Sequence, residues 1–227
     1  MCGRYYINDE TAKEIEKLIR QINDSLLLAC KERDVYPSGK APVIIGQNDR
    51  MLAEEFTWGF PGFDKKGVIF NARSETALEK KTFRDSVKER RCIIPATGFY
   101  EWSEKKDKYF FRSPDHRVLL FAGFYRQYEG SERFVILTTQ ANASLEGIHH
   151  RMPLILGPEE AESWMFDSEA TDILLHKKPG LLEKEVKGQL SLLIRRFGCR
   201  AALAVLLGPR PFLLSPGEAE PGSWDFA

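Results

Sequence analysis

Apolar and polar positions along this chain change period every few residues, the pattern of short strands interrupted by a few helices. Residues 2–7 mix aromatic and β-branched side chains and predict a strand. Asn8-Asp9-Glu10-Thr11 offers capping residues. From 12 to about 28, Ile15, Leu18, Ile19, Ile22 and Leu26 recur at helical spacing. Residues 33–40 read as loop, 41–46 as a short apolar strand, and 51–58 as a second strand beyond a turn at 47–50. An aromatic loop follows at 58–63, a brief strand at 67–71 and a charged helix from 74 to about 89. Residues 90–96 lead into Gly98-Phe99-Tyr100-Glu101-Trp102, and strands are predicted at 109–112, 118–128 and 133–139. A short helix or loop begins at 140–147, an apolar strand lies at 154–156, and helices are predicted at 158–166 and 169–176. From about 191 the charge density falls. Residues 201–214 are apolar, and 215–227 are rich in Pro, Gly and acidic residues, a composition expected to be partly disordered.

Composition narrows the class. The chain has 227 residues, 43% hydrophobic and 29% charged, enough for one large domain with a sizeable core. Lys plus Arg equals Asp plus Glu at 33 each, so any basic surface must be local. Cys2, Cys30, Cys92 and Cys199 are far apart and form no Cys-x-x-Cys pair, so neither a metal site nor a cofactor is expected. No signal-peptide core and no membrane-length apolar run are present, and a cytoplasmic protein with reduced thiols is expected.

The candidate chemistry starts at Met1-Cys2-Gly3-Arg4. A small residue at position 2 normally allows removal of Met1, which would leave Cys2 with an α-amine and a thiol on adjacent carbons. The amine has a reference pKa of roughly 7.7–8.0 and the thiol one near ~8.5. The amine can condense with an aldehyde to a Schiff base, and the thiol can then close a five-membered thiazolidine. Three other stretches carry cooperating residue types. Asn71 stands at a predicted strand end, able to orient an amine through its side-chain carbonyl. Glu101 lies between Tyr100 and Trp102, where lost hydration would raise its pKa towards a value useful for proton transfer. His149 is tunable to proton exchange near neutrality. Taken one at a time, each is better explained by an ordinary role. Cys2 would start a strand, Asn71 cap the next helix, Glu101 face solvent and His149 sit hydrogen-bonded in the core. Arg73 and Arg151 would pair with acids, and Trp58 and Phe60 would fill the core.

Taken together, Met1-Cys2-Gly3-Arg4, Trp58-Gly59, Asn71-Ala72-Arg73-Ser74-Glu75, Phe99-Tyr100-Glu101-Trp102 and Ile148-His149-His150-Arg151-Met152-Pro153 resemble the SRAP (SOS-response-associated peptidase) family of abasic-site sensors. The resemblance covers roughly residues 2–185. It implies a single α+β domain, placed at 2–190, on a twisted antiparallel, barrel-like β core with flanking helices, followed by an atypical tail at 191–227. It implies a monomer that binds single-stranded DNA at abasic sites, whose opened sugar presents an aldehyde. Cys2 would form the covalent link and Asn71 would position its amine. Glu101 would shuttle protons at the sugar. His149 would assist ring opening and reversal. Strand cleavage by β-elimination is an implied side activity, and removal of Met1 an implied self-cleavage. On the DNA side, Arg4, Arg73 and Arg151 suit phosphates, and Trp58 and Trp102 suit base stacking. Ser38, Gly39 and Thr138 would offer donors to the strand's backbone.

Two features depart from the family. Many members carry Asn three residues before the loop proline, where this chain has Asp34 before Pro37, and an acid there would weaken a phosphate contact. The apolar tail after about 189 has no family counterpart. Two other functions use the same residues: a thiol peptidase with Cys2 as nucleophile and His149 as base, and a non-covalent single-strand binding module that needs the Arg and Trp residues but not Cys2.

Overall fold

The computed structural model describes residues 2–19, 30–62 and 66–187. Met1, the expected helix positions Ile22 and Leu26, Cys199 and the tail from 191 lie outside the described residues.

The first strand, β1 (Tyr5–Ile7), enters α1 (Asp9–Leu18) through a reciprocal cap. The Asn8 side chain accepts from the Glu10 amide at 3.1 Å, and Thr11 Oγ1 accepts from the Asn8 amide at 3.2 Å. β2 (Arg33–Val35) falls where only loop is predicted. Three residues are too few to show a period, and the strand is imposed from outside by pairing of Val35 with Tyr5 and Arg33 with Ile7. β3 (Lys40–Gln47) and β4 (Arg50–Trp58) form the predicted strand–turn–strand. Asn48 and Asp49 make its turn with φ of 50° and 55°, the left-handed pair that matches strand twist. β5 (Phe60–Pro61), β6 (Val68–Ile69) and β7 (Asn71–Arg73) are short. The helix predicted from 74 is divided into a 3-10 turn at Ser74–Thr76 and α2 (Lys81–Glu89). Glu75, in that turn, is held by Arg151.

β8 (Arg91–Ala96), β9 (Gly98–Trp102), β10 (Lys108–Arg112), β11 (Leu119–Tyr128) and β12 (Ser131–Gln140) then follow. A 3-10 turn at Ala143–Leu145 precedes β13 (Arg151–Pro153) and β14 (Ile155–Leu156). α3 (Glu160–Phe166) and α4 (Ala170–Leu175) match the predicted helices. The last strand, β15 (Glu183–Lys187), is not legible in the sequence, because four of its five residues are charged. That composition suits an edge strand facing water.

Five strands close on themselves in the order β12–β4–β3–β8–β11–β12. All pairings in this ring are antiparallel except β4 with β12, which run parallel at Arg133–Thr57 and Phe134–Trp58. β13 and β7 attach to β12, and β14 to β11. A second sheet, β15–β10–β9–β1–β2, is antiparallel throughout. The fold is therefore α+β on a barrel-like core with flanking helices.

Neighbouring residues of the ring enter different cores. Ile44, Ile93 and Ala122 pack with Ile15, Phe83, Val87 and Trp164 of the helices. Val43, Cys92, Ile94 and Phe121 pack with Cys2, Tyr5, Trp58 and Phe99 instead. β8 is buried at every position, and strands buried on both faces read as continuous apolar runs rather than alternation. The second core delivers Cys2 to the interior beside the second sheet. Among the described residues, no helix is long and apolar enough to cross a membrane.

Candidate active site

Asn71 opens β7, which runs parallel to β12 with Asn71 opposite Ile136. Its Nδ2 donates to the Cys2 carbonyl at 2.8 Å, so it ties the chain start to the barrel and does not cap the following turn. Its Oδ1 is buried and accepts no hydrogen bond among the described residues.

Cys2 is 0% exposed, with Sγ 3.7 Å from the Arg4 carbonyl. Burial, then the negative charge of Glu101, push its thiol far above the usual range. The thiol is therefore protonated at neutral pH. Glu101 comes from β9, where Phe99 and Glu101 point to the buried side and Tyr100 and Trp102 to the other. At 3% exposure, burial raises the Glu101 carboxyl, against the pull of the positively charged chain terminus and the Trp102 amide. The alternative of a solvated strand residue is excluded by that burial.

His149 sits just before β13, whose partner β12 also carries β7. Its Nδ1 lies 3.0 Å from the Arg151 amide and 3.1 Å from the Arg151 carbonyl, so the backbone of Arg151 fixes the ring. Burial leads the effects that lower its pKa, which keeps it neutral near pH 7. His150 stacks on it with centroids 4.5 Å apart. Both line a groove of about 840 Å³ that is also lined by Trp102, the neighbour of Glu101. The structure thus joins Cys2 to Asn71 and sets Glu101 within range of the Cys2 thiol, while His149 lines the groove beside Trp102. Among the described residues, no group of three or more His, Cys, Asp or Glu side chains is placed to hold a metal ion.

Several residues assigned by sequence to DNA contact have other work in the fold. Trp58 is 0% exposed, donates Nε1–H to the Phe70 carbonyl at 2.8 Å and stacks on Phe134, so its ring is not available to a base. Thr138 is fully buried, with its hydroxyl donated to the Ala72 carbonyl at 3.3 Å. Arg151 is 8% exposed and grips Glu75 through two bonds of 2.7 and 2.8 Å, with a further bond to the Thr138 carbonyl. It braces β13 against β12 and the turn after β7, and its guanidinium is not open to phosphate. The Gly39 amide is used by the Tyr36 carbonyl at 2.9 Å, and the Ser38 amide by the Trp58 carbonyl at 2.8 Å. The exposed Ser38 hydroxyl remains open to a ligand.

Arg73 is exposed, as a phosphate contact requires. Trp102 is 38% exposed at the groove edge. Arg4 is ion-paired with Asp34 and lies over the Tyr36 and Tyr100 rings at 4.9 and 4.8 Å. Sequence reasoning missed Tyr100 and Lys108 as surface residues of this region. The signal was the two-residue period of β9, which puts Tyr100 and Trp102 on one face whenever Glu101 is on the other.

Residues 1–189 match the family described as SOS response associated peptidase (SRAP). The chain is 34% identical over 183 residues to "Abasic site processing protein YoqW" of Bacillus subtilis, spanning 73% of this chain and 80% of that protein. It is 31% identical over 176 residues to "Abasic site processing protein YedK" of Escherichia coli, spanning 73% and 79%. A crystal structure of a protein from Bacteroides thetaiotaomicron superposes with a TM-score of 0.71 at 26% identity, covering 84% of this chain and 94% of that one.

Proposed function

The chain belongs to the SOS response associated peptidase (SRAP) family, and from that premise we propose that it captures abasic sites in single-stranded DNA through a covalent bond to Cys2. The observation that carries this reading is the fixing of Cys2 by Asn71, with Glu101 close enough to act on the Cys2 thiol. Removal of Met1 turns the Cys2 amide into a free amine. That amine adds to the C1′ aldehyde carbon, and loss of one water gives the Schiff base. Sulfur then adds to the imine carbon, the thiol proton passes to nitrogen, and the thiazolidine closes with no net oxidation. Asn71 Oδ1, buried and accepting no hydrogen bond among the described residues, is the acceptor that holds the amine. Glu101, raised by burial, supplies and retrieves the proton at the sugar oxygen. Neutral His149 takes part in opening the sugar ring. β-Elimination from the Schiff base is a side reaction of the same intermediate.

Protonation of the buried thiol favours a sequence in which the amine attacks first. A thiol peptidase needs the opposite shift at Cys2, because the thiolate is the nucleophile. The test mixes the protein with a single-stranded oligonucleotide carrying one abasic site and resolves the products on a denaturing gel. A heat-stable shifted band is expected from the parent, and none from Cys2→Ala or from a chain extended at its start. An equal band from Cys2→Ala would overturn the assignment.

A further inference from the structure

We propose that residues 177–182 form a strap that positions His149, fastened to the turn before that residue by Asn142 and Ser144. The inference rests on the role given above to His149 and deepens it by naming what places the ring. The strap leaves α4, meets the turn at 142–148 and enters β15. β15 pairs with β10, and β10 with β9, the strand of Glu101.

The fastenings are specific. Lys177 pairs with Glu160 of α3 where the strap begins. Asn142 Nδ2 donates to the Pro179 carbonyl at 3.1 Å and to the Gly180 carbonyl at 2.7 Å. Ser144 Oγ accepts from the Leu182 amide at 2.7 Å. Beyond it, Glu183 stands opposite Arg112 in the register of β15 on β10.

The same two residues build the turn that carries His149. Asn142 Oδ1 accepts from the Ser144 amide at 2.9 Å and caps the 3-10 turn. The amides of Ile148 and His149 donate to the Leu145 carbonyl at 2.9 and 3.2 Å, and the Ala141 amide donates to the His150 carbonyl at 3.1 Å. A shift of Asn142 therefore reaches His149 through a short run of hydrogen bonds. An asparagine amide suits this place, because one planar group accepts from the turn and donates twice to the strap, and an aspartate could not donate. Asn142, His149 and His150 also line one groove with Trp102, so what fixes Asn142 fixes part of the groove's lining.

The experiment follows the His149 ring by NMR through a pH titration without DNA, its signal assigned by its loss in His149→Ala. Burial leads the effects that hold the His149 pKa down, so a turn freed from the strap should admit water and move the titration up towards the ordinary 6.5. The charged and titratable groups that bear on the ring are the chain terminus, Arg151 and His150, and neither substitution removes them. Asn142→Ala should raise the titration. Ser144→Ala, which removes one hydroxyl, should do the same and keeps the test open if Asn142→Ala fails to fold. Lys13→Gln, on the exposed side of α1, should titrate like the parent. With an abasic oligonucleotide, the strap variants should slow single-turnover crosslinking about tenfold. In a His149→Ala background they should add no further loss. An unmoved titration overturns the strap, and so does a slowing that persists without His149. A parent that forms no covalent band would sink Cys2 capture, and the titration would still decide the strap.

Discussion

Glu101 illustrates how one burial sets a chemical role. Its neighbours Tyr100 and Trp102 face outward, and the alternation of β9 forces the carboxylate inward beside Cys2. Desolvation raises its pKa, so it keeps a proton to higher pH than an exposed glutamate does. Acting as the acid at the sugar, it should give a crosslinking rate that falls on the alkaline side as that proton is lost. Glu101→Gln should slow crosslinking about 100-fold and remove that limb of the pH profile. Single-turnover rates from pH 5 to pH 9 decide the matter, and identical profiles for variant and parent would exclude Glu101. The sequence made this residue legible because its aromatic neighbours implied lost hydration. It made Trp58 and Thr138 misleading, because a motif names a residue without stating which side of the strand it occupies. Trp58 faces Tyr5, Phe70 and Phe134, and that face is core.

At the scale of elements, the site depends on how β7 and β13 are fastened to either side of β12. The Glu75–Arg151 pair is the fastening, and it holds His149 at the end of β13. Glu75→Gln leaves the buried guanidinium without its counter-charge. It should cost about 1–3 kcal/mol of stability, below the usual range for a buried pair because the Glu75 side chain is 36% exposed. The hydrogen bond from Arg151 lowers the Glu75 pKa from its ordinary 4.5. The pair therefore contributes fully above that value, and its contribution is lost as pH falls through the lowered one. Urea unfolding at pH 7 and pH 3 should show the parent's advantage over Glu75→Gln shrinking at the lower pH. A gap that stayed constant would mean the ion pair contributes nothing. Helix starts and hairpin turns were readable where their signals are local, as Asn8 and Thr11 cap α1 and Asn48-Asp49 turns β3 into β4; the end of α1 at Leu18, short of the expected 28, and the break between 76 and 81 were not. β2 and β15 were not, since their strand state comes from the partners beside them.

For the whole molecule, the barrel and the second sheet together set Cys2 against Asn71 of β7, with Glu101 of β9 within range of the Cys2 thiol. The barrel's closing step, β4 beside β12, joins Thr57 to Arg133 and leaves no periodic trace in the sequence. The barrel was foreseen through family resemblance, and periodicity alone supplied only its pieces. A net formal charge of zero means that any basic surface is local rather than spread over the molecule. The most direct measurement is peptide mass spectrometry of the protein after reaction with a short abasic oligonucleotide and nuclease digestion. The expected product is a peptide that begins at Cys2, lacks Met1 and carries the sugar remnant less one water. A remnant found on a lysine, or on a peptide that still begins with Met1, would contradict capture by Cys2.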